Sequence, residues 1–176
     1  MTPGHLVPTP LGDVVLCAEN DFLTDVFFIG QRHFPSISIA SPPYPAPAPI
    51  RRARKELEEF FSGMRRVFTV PLRLNGTPFQ QRVWKELSVI PYGTVVSYGT
   101  IANRMGLNGG HARAVGSAIG RNPVSMIVPC HRVISGNGHL TGHAGGIDRK
   151  QALLMLEKPA DGPTPIDPQY HLDPPR

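Results

Sequence analysis

Residues 35 to 49 contain six prolines. Proline cannot donate to a strand ladder and breaks a helix interior, so this stretch is expected to be an extended loop between core elements. Before it, PLGDVVLCAENDFLTDVFFIGQRH reads as a β-hairpin: the apolar runs VVLCA and LTDVFFI flank the polar turn Glu19-Asn20-Asp21. Cys17 falls in the first run and reads as a small buried apolar residue. After the prolines, IRRARKELEEFFSG reads as an amphipathic helix stopping at Gly63. Its basic first turn opposes the helix dipole, so Arg51 and Arg52 need a partner or solvent. VFTVPLRL then reads as a strand.

A second break follows at Asn75-Gly76. Thr77-Pro78-Phe79-Gln80 supplies a capping hydroxyl, a proline at the first helical position and a Gln three residues after the cap. Phe79, Val83, Leu87 and Ile90 then share one helix face, and Pro91-Tyr92-Gly93 ends it. Ser97 caps a short helix stopping at Gly106, and a second helix runs from about His111 to Gly120. Two helices around a glycine-rich turn form a DNA-binding pattern, shared with many ordinary α-hairpins. Ala112, Val115 and Ile119 form the expected buried stripe of the second helix. Arg113, Gly116, Ser117 and Gly120 occupy the other side. Such a smooth face with one long cation suits close approach to a nucleic-acid groove, or equally a packing surface.

Charge separates the same regions. The chain of 176 residues carries a net charge of +5. Residues 76 to 158 hold nine Lys and Arg against three Asp and Glu, whereas residues 1 to 75 hold eight against seven. A basic segment of this kind favours a polyanionic partner, although it also suits a merely soluble surface. The longest apolar runs are too short to cross a bilayer. MTPGHLVPTP lacks the basic and apolar regions of a secretory signal. Two cysteines make no disulfide framework, which points to a reducing, cytoplasmic setting.

VSMIVPC reads as an apolar strand-like run that delivers Cys130 to a site, with His131 and Arg132 next. A free thiol is only a few per cent ionised at neutral pH. A base or a nearby cation activates it. Adjacent side chains of an extended chain point to opposite faces, so His131 would reach the sulfur through water. The alternatives are a buried filler or a metal ligand. Cys130, His131, His139 and His143 include an H-x3-H pair. GNGHLTGHAGG is a glycine-rich loop, however, and does not place both histidines on one helical face.

PCHRV, preceded by ARAVG and NP and followed by TGHAGG and LLMLE, closely resembles the O6-alkylguanine-DNA alkyltransferases. The resemblance spans residues 77 to 158, and extends weakly to the N-terminal TPLG and its hairpin-helix-strand order. It implies an α+β chain in three parts. Residues 1–75 would form a small antiparallel sheet with a helix, of ribonuclease H-like type. Residues 76–158 would form a mostly helical, winged-helix-like helix-turn-helix domain carrying the cysteine. Residues 159–176 would be a proline-rich tail. It also implies a monomer that needs no cofactor or metal, flips O6-alkylguanine from duplex DNA through the minor groove, and takes the alkyl group irreversibly onto Cys130. By the same resemblance, His131 relays the thiol proton through water and Glu157 orients it. Tyr98 donates to guanine N3, and Arg113 fills the gap left by the flipped base. Ala112, Gly116 and Ser117 line the DNA face with Arg113 and Tyr98. Asn122 braces the turn before Cys130. The Cys130 and Val133 carbonyls accept from the guanine amino group, and the Ala144 amide donates to O6.

One position departs from the pattern. His143 stands where the family usually has a tyrosine packed against the base. A histidine can stack, and it titrates near neutral pH, so protonated His143 is expected to weaken base binding in mild acid. Two other readings compete. Sensor proteins of this type flip the base without chemistry, but replace the acceptor cysteine, usually with tryptophan. A thiol hydrolase or redox regulator would turn over repeatedly or respond to oxidant.

Overall fold

The computed structural model describes residues 3–40, 45–136 and 143–158, so the tail, His139 and part of the proline stretch lie outside it. Among these residues the chain is mixed α/β, with one small antiparallel sheet and five α-helices, none long and apolar enough to cross a membrane. Two compact units form: Met1–Asn75 with Pro123–Ser125, and Gly76–Asn122 with Met126–Arg176.

In the first unit, β1 (His5–Val7), β2 (Val14–Glu19) and β3 (Phe22–Phe28) form the sheet in chain order. The hairpin turn is shorter than the sequence suggests, because Glu19 pairs with Phe22 and Asn20 takes the left-handed conformation (φ 54). Asparagine tolerates this conformation better than most residues. The short strand β1 carried no hairpin signal of its own.

Helix α1 (Ala48–Phe61) packs on β2 and β3 through Ile50, Ala53, Leu57 and Phe60. It begins inside the proline stretch: Pro49 lies in the first turn, where its missing N–H costs nothing. Arg51 finds the Ala46 carbonyl at 2.6 Å, and Arg52 bonds to Glu56 and to the Thr69 hydroxyl.

VFTVPLRL is not a strand. Buried Glu56 takes the amides of Thr69 (2.6 Å) and Val70 (3.1 Å) that a ladder would have used. Only Leu72 makes an isolated bridge, to Leu23.

In the second unit, α2 (Pro78–Ser88) begins in the expected capping box, with Thr77 and Gln80 bonding reciprocally at 3.1 and 3.0 Å. Val83, Leu87 and Ile90 are buried and Phe79 is half-buried. Trp84 is buried too, and its indole N–H donates to the Ala118 carbonyl at 2.8 Å. Gly76 must be small, since a Cβ there would collide with the Trp84 ring. The parallel pair β4 (Val96–Ser97) and β5 (Val133–Ile134) holds the start of α3 (Tyr98–Arg104) beside the end of the cysteine segment. Ser97 caps α3 by accepting the Thr100 amide at 3.0 Å. Helices α4 (Ala112–Gly120) and α5 (Ile147–Glu157) complete the unit. On α4 the buried residues are Val115, Ala118 and Ile119; Ala112 is only half-buried, because the helix turns Ala118 toward α2.

Candidate active site

VSMIVPC is not the strand its apolar run suggests. Val124 makes one isolated bridge with Val26, and Met126 then turns the chain in the left-handed region (φ 72). At Pro129 (φ −82, ψ 67) the Cys130 amide bonds back to the Val128 carbonyl at 2.8 Å. That is an inverse γ-turn, followed by a 3-10 turn over Cys130–Arg132. Asn122 braces it, donating through Nδ2 to the same Val128 carbonyl at 2.8 Å.

The side chains of Cys130 and His131 have different partners. His131 is fully buried and its Nε2 lies 2.8 Å from Glu157 Oε2. Glu157 also receives Arg132, from Nε to Oε1 at 2.8 Å and from NH2 to Oε2 at 2.9 Å. The third guanidinium nitrogen donates to the Ile90 carbonyl at 2.6 Å, and Tyr92 covers the group at 5.6 Å from its ring centre. Burial opposes ionisation of Glu157, but His131 and Arg132 together hold its pKa down to about 2. A carboxylate only accepts, so Nε2 of His131 carries the hydrogen and Nδ1 keeps its lone pair. Among the described residues, Nδ1 is buried without a protein partner. Burial lowers the pKa of His131, with Glu157 pulling the other way. The ring is therefore a neutral base whose protonated form has a carboxylate waiting.

Burial likewise raises the pKa of Cys130. Asn122, the Lys150 charge and the backbone of Cys130 and His131 all act in the opposite direction. Lys150 was not singled out from the sequence. It is 1% exposed on α5, its ammonium stands 5.8 Å from the centre of the Tyr98 ring, and burial lowers its pKa to about 8. A lysine in a polar helix reads as solvent-facing, and no local signal separates this one. Arg132 was seen only as a nearby charge; its fork on Glu157 depends on a contact across 25 positions.

The remaining candidates fall at different depths. Tyr98 is half-buried at the start of α3, next to Gly116, where an added Cβ would meet its ring at 3.8 Å. Arg113 and Ser117 are exposed on α4, and Gly116 and Ala112 are half-buried. Val133 is buried in β5, and Ala144 is half-buried in the turn before α5. His143 is unexpectedly close: its Nε2 is 3.5 Å from Cys130 Sγ. Burial lowers its pKa to about 3, helped by the Lys150 charge, well below the near-neutral titration expected from the sequence. Among the described residues no group of three or more His, Cys, Asp or Glu is gathered for a metal ion.

Residues 78–159 match the model of the 6-O-methylguanine DNA methyltransferase DNA-binding domain. A methylated-DNA–protein-cysteine methyltransferase of Mycobacterium tuberculosis is 47% identical over 158 residues, covering 88% of this chain and 93% of the relative. The chain belongs to that family. A relative of the same description from Methanosarcina acetivorans is 42% identical over 152 residues, covering 85% of this chain and 94% of its own. A crystal structure of M. tuberculosis OGT in complex with DNA superposes with a TM-score of 0.77 at 44% identity, covering 91% of this chain and 97% of the other.

Proposed function

We propose that this methyltransferase reverses alkylation of DNA by moving the alkyl group from guanine O6 to Cys130. The observation that carries the reading is the buried chain from Arg132 through Glu157 to His131, beside an otherwise protonated thiol. It has the nucleophile, base and orienting group of a catalytic triad, with a water step between the first two. The thiol proton passes to His131 Nδ1, and the imidazolium so formed is stabilised by Glu157. The sulfur then attacks the alkyl carbon. The S–C bond forms as the C–O6 bond breaks, and the electron pair stays with guanine. Tyr98 donates a proton to guanine N3, and Lys150 favours the thiolate. The thioether has no route back, so each molecule acts once.

DNA is the partner, as the DNA complex of the M. tuberculosis relative supports. An alkyl carbon inside a duplex is beyond reach of a side chain, so the base must be flipped, at a cost of a few kcal/mol. In this reading α3 and α4 are the helix-turn-helix of a winged-helix-like domain. Exposed Arg113 enters the minor groove as the wedge, where readout is degenerate, as a repair protein requires. Ala112, Gly116 and Ser117 let the backbone come close. Asn122 holds the turn, the Cys130 and Val133 carbonyls and the Ala144 amide read the base, and His143 stacks on it. The first unit is the ribonuclease H-like half of a cytoplasmic monomer.

The test is an intact mass after incubation with duplex DNA carrying O6-methylguanine. One added methyl group, absent in Cys130→Ala, is expected. Unmodified protein with tight binding would replace this reading by that of a sensor.

A further inference from the structure

His143 stands in direct contact with the sulfur, and the catalytic chain does not use it. Its backbone is fixed by a turn in which the Gly146 amide bonds to the His143 carbonyl at 2.9 Å, and Arg149 holds the neighbouring Gly145 carbonyl at 2.9 Å. The ring is thereby presented to Cys130 with Nε2 3.5 Å from Sγ, a hydrogen-bond distance for sulfur.

We propose that His143 is a positioning residue for the resting thiol: its neutral ring accepts the Cys130 S–H at Nε2, keeps the sulfur protonated and covered, and leaves it only when a flipped base takes its place. The inference rests on Cys130 being the alkyl acceptor. Two observations support it.

The groups acting on the ring favour its neutral form. Burial first, and then the charges of Lys150 and Arg149 from α5, disfavour a positive charge there, whereas the Gly146 backbone favours one. His143 is therefore no rival to His131 as proton acceptor, since among the described residues it is His131 that has a carboxylate behind it. A neutral imidazole facing a neutral thiol pairs in one of two ways, Nε2–H donating to sulfur or S–H donating to a bare Nε2. The second is the pairing proposed, because nitrogen is the better acceptor, and it places the ring hydrogen on Nδ1, which is buried with no partner among the described residues. Hydrogen bonding to the neutral form of an acid disfavours its ionisation.

Secondly, reaction requires the alkyl carbon to approach the sulfur to about 3–3.5 Å. Nε2 already stands at that distance. Release of the ring frees the sulfur, and the thiol proton is then available to His131.

Nitrogen-15 shifts of the His143 ring give the direct test in the unaltered protein. The expected state is a neutral ring from pH 5.5 to 8, with the hydrogen on Nδ1 and a bare Nε2. The Nε2 resonance should move once Cys130 is methylated by a DNA substrate, because the S–H donor is lost. A charged ring at neutral pH, a hydrogen on Nε2, or an unmoved resonance would overturn the proposal. A second arm uses iodoacetamide on Cys17→Ala protein. Adding His143→Ala should speed capture of Cys130 about threefold or more at pH 7.5, equivalent to at least half a pH unit of thiol ionisation. An equal or slower rate counts against the resting contact. Intact mass after DNA treatment separates the two readings: failure of methyl transfer in unaltered protein removes the repair function, whereas normal transfer with an unchanged His143 ring removes only the resting contact.

Discussion

Cys17 and Cys130 are covered to the same degree, each 6% exposed and neither in a disulfide. Their surroundings differ. Cys17 sits in β2 with Asp25 opposite it in β3, and burial together with the Asp25 charge pushes its pKa up to about 12. Cys130 sits in a tight turn where Asn122, Lys150 and two backbone positions counter part of the upward push of burial. Burial alone therefore does not distinguish an inert thiol from a reactive one. The difference lies in the charges and donors brought against the sulfur from elsewhere in the chain.

The largest expected effect follows directly. Cys130→Ala should abolish methyl transfer from methylated duplex DNA, whereas Cys17→Ala should keep the single-turnover rate within about twofold, since surface and inert-core sulfurs take no part in the displacement. Protein mass after reaction reads both. A methylated Cys17 in the wild type would erase the contrast between the two sites.

Next in size is the chain behind His131. Glu157→Gln keeps the shape but removes the charge that stabilises the imidazolium, and should slow the single-turnover rate by about a hundredfold. Glu157→Ala should in addition strand the buried Arg132 guanidinium and cost about 3–5 kcal/mol of stability. Denaturant midpoints separate the two variants. If Glu157→Gln were as fast as wild type, the thiol proton would have to leave by another route.

The contrast also explains what the sequence made legible. Local chemistry was readable: the Thr77–Gln80 capping box, the Ser97 cap and the hairpin each depend on residues a few positions apart. Cys130 and His131 stand out locally as a thiol with a base beside it, whereas the role of Glu157 comes from the resemblance alone. Long-range partners were not readable. Glu56 captures the amides of Thr69 and Val70 and so removes an expected strand, and nothing within VFTV signals it. Met126 bends an apolar run that has no glycine to mark the turn. Lys150 and Arg132 owe their roles to burial against residues far off in sequence, and the proximity of His143 to the sulfur arises in the same way.

Lys150 offers a smaller perturbation of the thiol. Lys150→Met removes a cation that favours the thiolate and leaves the volume similar, so the Cys130 pKa should rise. A rise of one unit would reduce the thiolate fraction about tenfold at neutral pH. The pH dependence of iodoacetamide capture measures it, in a Cys17→Ala background. An unchanged midpoint would mean that Asn122 and the backbone alone offset the burial of Cys130.

The smallest effect concerns stability. His143 is held neutral in the folded protein, with its pKa lowered to about 3 by burial, while the unfolded chain returns it to its ordinary value of 6.5. Between those two values the unfolded state binds the extra proton and the folded state does not. Stability must therefore fall as pH drops through 6.5, and continue to fall until the folded ring itself titrates. From pH 7 to pH 6 one such group contributes a loss of about 0.7 kcal/mol. At this chain length that is roughly 1–3 °C in Tm. His143→Phe, which keeps a flat ring without a titrating nitrogen, should show a Tm that declines less over the same interval, leaving the share due to His131 and His5, whose pKa values burial also lowers. Thermal unfolding of the two proteins at pH 7 and pH 6 measures the difference. Parallel declines would mean that the folded ring accepts a proton as readily as the unfolded one, and the neutral pairing with Cys130 would lose its electrostatic basis.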